Sequence, residues 1–211
     1  MPTDDPRADW VVVVPLKPLS RAKSRLPGRP DADRGQLARA FALDTVRAAA
    51  ACPQVASVVV VTDDQDVRDA VTALGASWTA DAGGGLNLAL DAAAAQVRAS
   101  HPESHVAALL GDLPSLRPLE LSAALTLAAD VPRGFVADAS GIGTTLLTAR
   151  PGAQLECRFG PRSRAAHAAS GAVALEPGVV PGLRRDVDTD VDLWDAQRLG
   201  VGPATAALLT R

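Results

Sequence analysis

The 211-residue chain has only two cysteines, Cys52 and Cys157, far apart and in no CxxC pair, and its three histidines, His101, His105 and His167, are scattered. No zinc cage or disulfide framework can be read from such spacing, and no Ser/His/Asp relay emerges, so the thiols read as buried groups in a reducing compartment. No apolar run approaches the length of a membrane span. The opening Met1-Pro2-Thr3-Asp4-Asp5-Pro6 is acidic where a signal peptide is basic, which predicts a cytoplasmic protein. Basic charge is not in excess either: 21 Lys and Arg against 24 Asp and Glu give a formal net charge of -3. A broad basic face for nucleic acid is therefore not expected. With 47% hydrophobic and 21% charged residues, the chain can bury one sizeable core, and residues 1–211 read as a single domain.

Short β-branched runs alternate with Ala-rich amphipathic stretches. Strands are predicted at Val11 to Pro15, Val58 to Thr62, Val106 to Leu110, Phe135 to Asp138 and Thr144 to Thr148. Helices are predicted at Gln36 to Ala51, Gln65 to Leu74, Leu86 to Ala99, Pro118 to Ala128 and Val191 to Leu199. Pro118 suits a first helical turn, and Thr62-Asp63-Asp64 offers a cap to the helix that follows. Such alternation predicts an α/β fold with a mostly parallel central sheet flanked by helices. The Pro/Gly-rich stretch Glu176 to Gly182 reads as a surface connection before a last strand.

Several segments could carry chemistry. Trp10-Val11-Val12-Val13-Val14-Pro15 runs into a loop with Lys17, Arg21, Lys23 and Arg25, four cations within nine residues. A buried strand feeding a basic loop at its carboxyl end suits a polyanion, although a solvated basic loop has the same composition. Without an early glycine, such a loop would grip phosphates by side chains rather than by a backbone nest. In Gly111-Asp112-Leu113-Pro114, Asp112 lies just past a strand, as a turn former or as a ligand for a divalent metal. Asp186-Val187-Asp188-Thr189-Asp190-Val191-Asp192 is not an EF-hand, because Val191 and Gln197 stand where glycine and glutamate belong. Read as a short strand entering the last helix, it places Asp186 and Asp188 on one face, with Thr189 or Asp190 as the cap. One carboxylate from Asp112 and one from Asp186 or Asp188 would hold Mg²⁺ with positions left open for phosphate oxygens.

Gly83-Gly84-Gly85 opens a helix and Asn87 offers a donor and an acceptor to a base edge, while a flexible turn is the plainer meaning of the glycines. Gly141-Ile142-Gly143 lacks the third glycine of a dinucleotide fingerprint. Arg158-Phe159-Gly160-Pro161-Arg162-Ser163 precedes a helical pattern from Arg164 to Ser170, and reads either as a small-anion site or as an ordinary serine cap.

In order, VVPLKPLSRAKSRL, GGGLNLAL, LLGDLP, FVADASGIGTTLL, RFGPRS and DVDTDVDL resemble the phosphoenolpyruvate and 2-phospho-L-lactate guanylyltransferases of coenzyme F-420 biosynthesis. The resemblance runs from Val11 to the closing LGVGPAT. It implies a Rossmann-like, GT-A-like nucleotidyltransferase fold. It also implies transfer of GMP from GTP to the phosphate of a three-carbon acid, with release of pyrophosphate and possible handover of the product to the next enzyme. Carried over by position, it places Lys17, Lys23 and Arg25 on the triphosphate and Gly85 and Asn87 on the base. Asp112, Asp186 and Asp188 fall on the metal, and Thr145, Gly160 and Ser163 on the acceptor. The Ala-, Arg- and Asp-rich composition fits a high-GC actinobacterial member and the phosphoenolpyruvate-using branch. Transfer to 2-phospho-L-lactate or 3-phosphoglycerate, a nucleotidyltransferase acting on a molybdopterin or sugar phosphate, and a noncatalytic nucleotide-binding regulator are the competing readings. Asp190-Val191 departs from the proline that many relatives carry after the Thr of DVDT.

Overall fold

The computed structural model describes residues 9–16 and 31–210. The first half runs β1 (Trp10–Pro15), α1 (Asp31–Ala50), β2 (Val55–Val61), α2 (Gln65–Thr72), β3 (Ser77–Thr79), α3 (Leu86–Ser100) and β4 (His105–Leu109). The second half runs α4 (Pro118–Ala128), β5 (Arg133–Ala137), β6 (Thr144–Ala149), α5 (Ser163–Ala169), β7 (Val173–Ala174), α6 (Pro181–Arg184), α7 (Asp190–Leu199) and α8 (Pro203–Leu209). All five predicted strands and all five predicted helices are present; Pro118–Ala128 keeps its predicted bounds and the others shift at one or both ends.

The strands form one sheet in the order β3-β2-β1-β4-β6-β5-β7. β1 pairs in parallel with both β2 and β4, which is why an unbroken apolar run suits it: both of its faces are covered. Val12 and Val14 pack into a layer with Val46 and Ala49 of α1 and Leu121 and Leu125 of α4. Val11 and Val13 point the other way, against Leu90, Ala93 and Val97 of α3 and against Leu155, Cys157 and Phe159. The four valines are at most 4% exposed. Each contributes about 1.5–3 kcal/mol by burial.

The sheet is parallel at β3-β2, β2-β1, β1-β4 and β5-β7, but β6 runs antiparallel to both β4 and β5. That reversal brings the β5–β6 connection to the edge where β1 and β4 end. Strand order also changes direction beside β1, and ligands of open α/β sheets bind at such a switch point.

Two sequence expectations need correction, and three further elements, β3, β7 and α8, were not predicted. Residues 185–188 form no strand; they are irregular chain after α6, which itself replaces the expected loop at Pro181. β3 and β7, of three and two residues, carry too little pattern to be read. α8 was not expected, and its first-turn amides are met from far away: the Asp44 carboxylate of α1 accepts from Ala204 N at 2.9 Å and Thr205 N at 2.8 Å. Expected caps do form, with Pro118 in the first turn of α4, Asp64 accepting from Val67 N, and Thr189 sharing a capping box with Asp192. Among the described residues no helix is long and apolar enough to cross a membrane.

Candidate active site

A cleft of about 680 Å³ opens at the carboxyl ends of β1 and β4. Its size is that of a small-molecule or cofactor site. It is walled by Pro15 at the end of β1 and Leu16 after it, Arg39 of α1, Leu86 of α3, Gly111 and Asp112 after β4, the β5–β6 connection, Phe159 to Ser163, and Asp186 and Asp188. Lys17, Lys23 and Arg25 lie outside the described residues. Of the other residues named from sequence, Asp112, Asp186, Asp188, Gly160 and Ser163 converge on the cleft, whereas Gly85, Asn87 and Thr145 are not on its wall.

The acidic side is assembled by a backbone bond between distant segments, in which Val187 N–H donates to the Asp112 carbonyl at 3.0 Å. Val187 is fully buried against Leu37 and Phe41 of α1, so its neighbours Asp186 and Asp188 are turned to the cleft beside Asp112. The expected shared face is thus realised without a strand. Burial, and then the negative charge of Asp112, Asp138 and Asp188, push the Asp186 carboxyl up to about 7. Among the described residues no group of three or more His, Cys, Asp or Glu forms a metal cage. The hard oxygen donors and their mutual repulsion nonetheless fit a divalent cation that completes its shell with substrate oxygens and water.

Asp138 is a site residue that motif reasoning passed over. Its carboxylate accepts from Ser140 Oγ at 2.9 Å, Ile142 N at 2.9 Å and Gly143 N at 2.9 Å, closing the β5–β6 connection into a compact loop on the cleft wall. A Cβ at residue 143 would lie 2.5 Å from Asp138 Oδ2, so the close approach requires glycine. The signal was present in Asp138-Ala139-Ser140, an aspartate followed by turn residues.

The opposite side is a segment without regular structure whose backbone is held by side chains. Three successive amides are accepted: Cys157 N by Asp91 Oδ1 at 3.1 Å, Arg158 N by His167 Nε2 at 2.9 Å and Phe159 N by Asn87 Oδ1 at 2.7 Å. Asn87 Nδ2 returns a bond to the Phe159 carbonyl at 3.0 Å. Asn87 and Asp91 lie one turn apart on α3, which puts both on the same helix face. In this conformation the Asn87 amide is therefore engaged by backbone rather than presented to a base. Arg133, nearly buried, secures the start of the segment through the Glu156 carbonyl at 3.3 Å and an ion pair with the Glu156 carboxylate, also at 3.3 Å. Burial, followed by the adjacent Asp91, pushes the Cys157 thiol far up, which leaves it unreactive. The segment delivers Gly160, whose φ of 136° favours glycine, and Ser163, buried at the start of α5 with its N–H bonded to the Gly160 carbonyl at 3.1 Å.

Where β5 meets β6, Val136 pairs with Leu146 and Ala137 with Thr144, leaving Thr145 as the extra residue of a bulge. Thr145 is fully buried, with its hydroxyl making no hydrogen bond among the described residues. Thr144, its neighbour, lines the cleft and meets His167 Nδ1 at 2.9 Å. His167 is fully buried between Phe135 and Phe159, and burial first, then Arg133 and Arg158, push it down to about 4. It is therefore neutral, a structural role that its isolated position in the sequence did not reveal.

This architecture has close and distant relatives. Residues 10–174 match the family model described as "Guanylyl transferase CofC like". The chain is 57% identical over 204 residues to the phosphoenolpyruvate guanylyltransferase of Streptomyces coelicolor, covering 96% of each, and 50% identical over 208 residues to that of Thermomonospora curvata, covering 98% of this chain and 91% of the relative. Among solved structures, a Desulfovibrio desulfuricans protein assigned as a nucleotide-diphospho-sugar transferase superposes with a TM-score of 0.70 at 16% identity, over 96% of this chain and 94% of that one. The CTP complex of CMP:2-keto-3-deoxy-manno-octonic acid synthetase gives 0.53 at 18% identity, over 90% and 97%. These two likenesses establish the nucleotidyltransferase-type fold, with a central sheet that is mostly parallel. With its matched span and its near full-length relatives, the chain belongs to the CofC-like guanylyl transferase family.

Proposed function

We propose that this chain is a phosphoenolpyruvate guanylyltransferase, moving GMP from GTP to the phosphate of phosphoenolpyruvate in coenzyme F-420 biosynthesis. The reading is carried by the near full-length similarity to enzymes of that name, 57% identical across 96% of both chains in one case. A phosphate oxygen of the acceptor attacks the α-phosphorus of GTP; a new P–O bond forms as the α–β bridging bond breaks, and pyrophosphate carries away the electron pair. A phosphate monoester is already anionic near neutral pH, so the attack needs no general base. That agrees with the one histidine beside the cleft, His167, having both ring nitrogens engaged.

In this reading Asp112, with Asp186 or Asp188, holds Mg²⁺, which when bound would neutralise charge on the phosphates. Lys17, Lys23 and Arg25 serve as the triphosphate clamp, Gly85 lies on the base side, Asn87 acts there only through the Phe159 backbone that it holds, and Thr145, Gly160 and Ser163 belong to the acceptor side. The single domain works in the cytoplasm, and its product, an enolpyruvoyl-diphospho-guanosine, passes to the next enzyme.

The test is pyrophosphate release with GTP, ATP or CTP crossed against phosphoenolpyruvate, 2-phospho-L-lactate and 3-phosphoglycerate, with Mg²⁺ present. Turnover is expected with GTP and phosphoenolpyruvate. Activity only with ATP or CTP would overturn the guanylyl assignment, a preference for another acid would overturn the acceptor, and silence with every pair would leave a noncatalytic nucleotide binder.

A further inference from the structure

We infer that the Thr144 hydroxyl donates a hydrogen bond to the anionic group of the acceptor, and that His167 is the positioning residue that aims it. The tautomer of His167 follows from its partners. Arg158 N–H donates to Nε2 at 2.9 Å, so Nε2 has no hydrogen, and the neutral ring carries its proton on Nδ1. Nδ1–H therefore donates to Thr144 Oγ1, 2.9 Å away, rather than accepting from it. A hydroxyl has one hydrogen and two lone pairs, so Thr144 keeps its own hydrogen to give.

Among the described residues that hydrogen meets no acceptor, and Thr144 lines the cleft. A carboxylate or phosphate oxygen in the cleft would complete the bond. Without His167 the hydroxyl could turn freely about its Cβ–Oγ1 bond; with it, the oxygen is occupied on the protein side and the donor is left for the ligand. The same imidazole holds Arg158, two residues before Gly160, so one ring sets the β6 hydroxyl and the Gly160–Ser163 segment relative to each other. Burial keeps the ring neutral, which preserves Nε2 as an acceptor.

The inference rests on the cleft being the acceptor site of the proposed reaction, and the two can fail separately. Wild-type enzyme that releases no pyrophosphate from GTP and phosphoenolpyruvate defeats the reaction. With active wild type, Thr144→Val is expected to raise the KM for phosphoenolpyruvate about tenfold or more while the KM for GTP stays within about twofold, since the near-isosteric change removes the donor to a charged group together with the acceptor of His167 Nδ1–H. Thr144→Ser should restore a near wild-type value. His167→Phe should raise the same KM, and the double variant with Thr144→Val should be no worse than the more affected single one. Unchanged acceptor KM in Thr144→Val, or parallel shifts for both substrates, would overturn the donor role. Should Thr144→Val fail to fold, nitrogen-15 NMR of wild-type imidazoles decides: His167 protonated on Nδ1 and perturbed by phosphoenolpyruvate is the expected result, and either an Nε2–H tautomer or no response to phosphoenolpyruvate would overturn the proposal.

Discussion

The two walls of the cleft are built on opposite principles. On one, Asp112, Asp138, Asp186 and Asp188 share a small space, and their mutual repulsion shows in Asp186, whose carboxyl is pushed up to about 7 by burial and by its three acidic neighbours. On the other, the amides of Cys157, Arg158 and Phe159 are each accepted by a side chain, from Asp91, His167 and Asn87. Charge is concentrated where a cation would relieve it, and polarity is satisfied internally where a loop must stay in place. An acidic wall that accumulates repulsion gains most from a ligand, whereas a satisfied wall gains most from rigidity.

Removing a carboxylate from the acidic wall should produce the largest effect. Asp112→Ala is expected to reduce pyrophosphate release by about a thousandfold or more with circular dichroism unchanged. Near-normal release would mean that the wall's charge serves no cation.

The satisfied wall should instead reveal itself through stability. His167 sits near 4 in the folded protein against an ordinary value of 6.5, so between those limits the unfolded chain binds a proton that the native state refuses. Its contribution is fully present above about pH 6.5 and declines as pH falls toward 4. The total lost is up to roughly 3 kcal/mol. Urea unfolding of wild type and His167→Phe from pH 4.5 to 7 should show a steeper pH dependence in the wild type; equal slopes would contradict the buried neutral ring.

Asn87→Ala is a sharper probe, since it removes both bonds to Phe159. A stability loss of about 1–3 kcal/mol in thermal or urea melts is expected, together with weaker acceptor binding and an unchanged preference for GTP over ATP. If only the nucleotide preference moved, Asn87 would belong to base recognition and the wall would not depend on it. Thr189→Ala should have the smallest effect, about 1 kcal/mol, from loss of the cap on α7 next to Asp186 and Asp188. A stability change well above that, measured by urea melts, would mean that the cap also braces the acidic segment.

What could be read in the sequence was what short stretches decide for themselves. The unbroken run Val11 to Val14 demanded two covered faces and received them between β2 and β4. Pro118, Asp64 and Thr189 marked helix starts because a cap acts within one turn of its own position. The order of motifs likewise pointed to the family, and Asp112 and Asp186, read together in the sequence, both lie on the cleft wall. Residues whose partners lie far along the chain escaped. Asn87 meets Phe159 across 72 positions, Asp91 meets Cys157 across 66, and Asp44 caps α8 across 160.

By itself, then, the sequence determined the buried central strand, the capped helices and a set of carboxylates and small residues suited to nucleotidyl transfer, since periodicity and capping are local. Only the tertiary structure decided that β6 enters antiparallel beside β4, that the bulge at Thr145 leaves Thr144 at His167, and that Asn87 fastens a loop. Those outcomes depend on which distant backbone amides need an acceptor once the sheet has closed around them, a demand that arises from burial and so has no trace in any short stretch of residues.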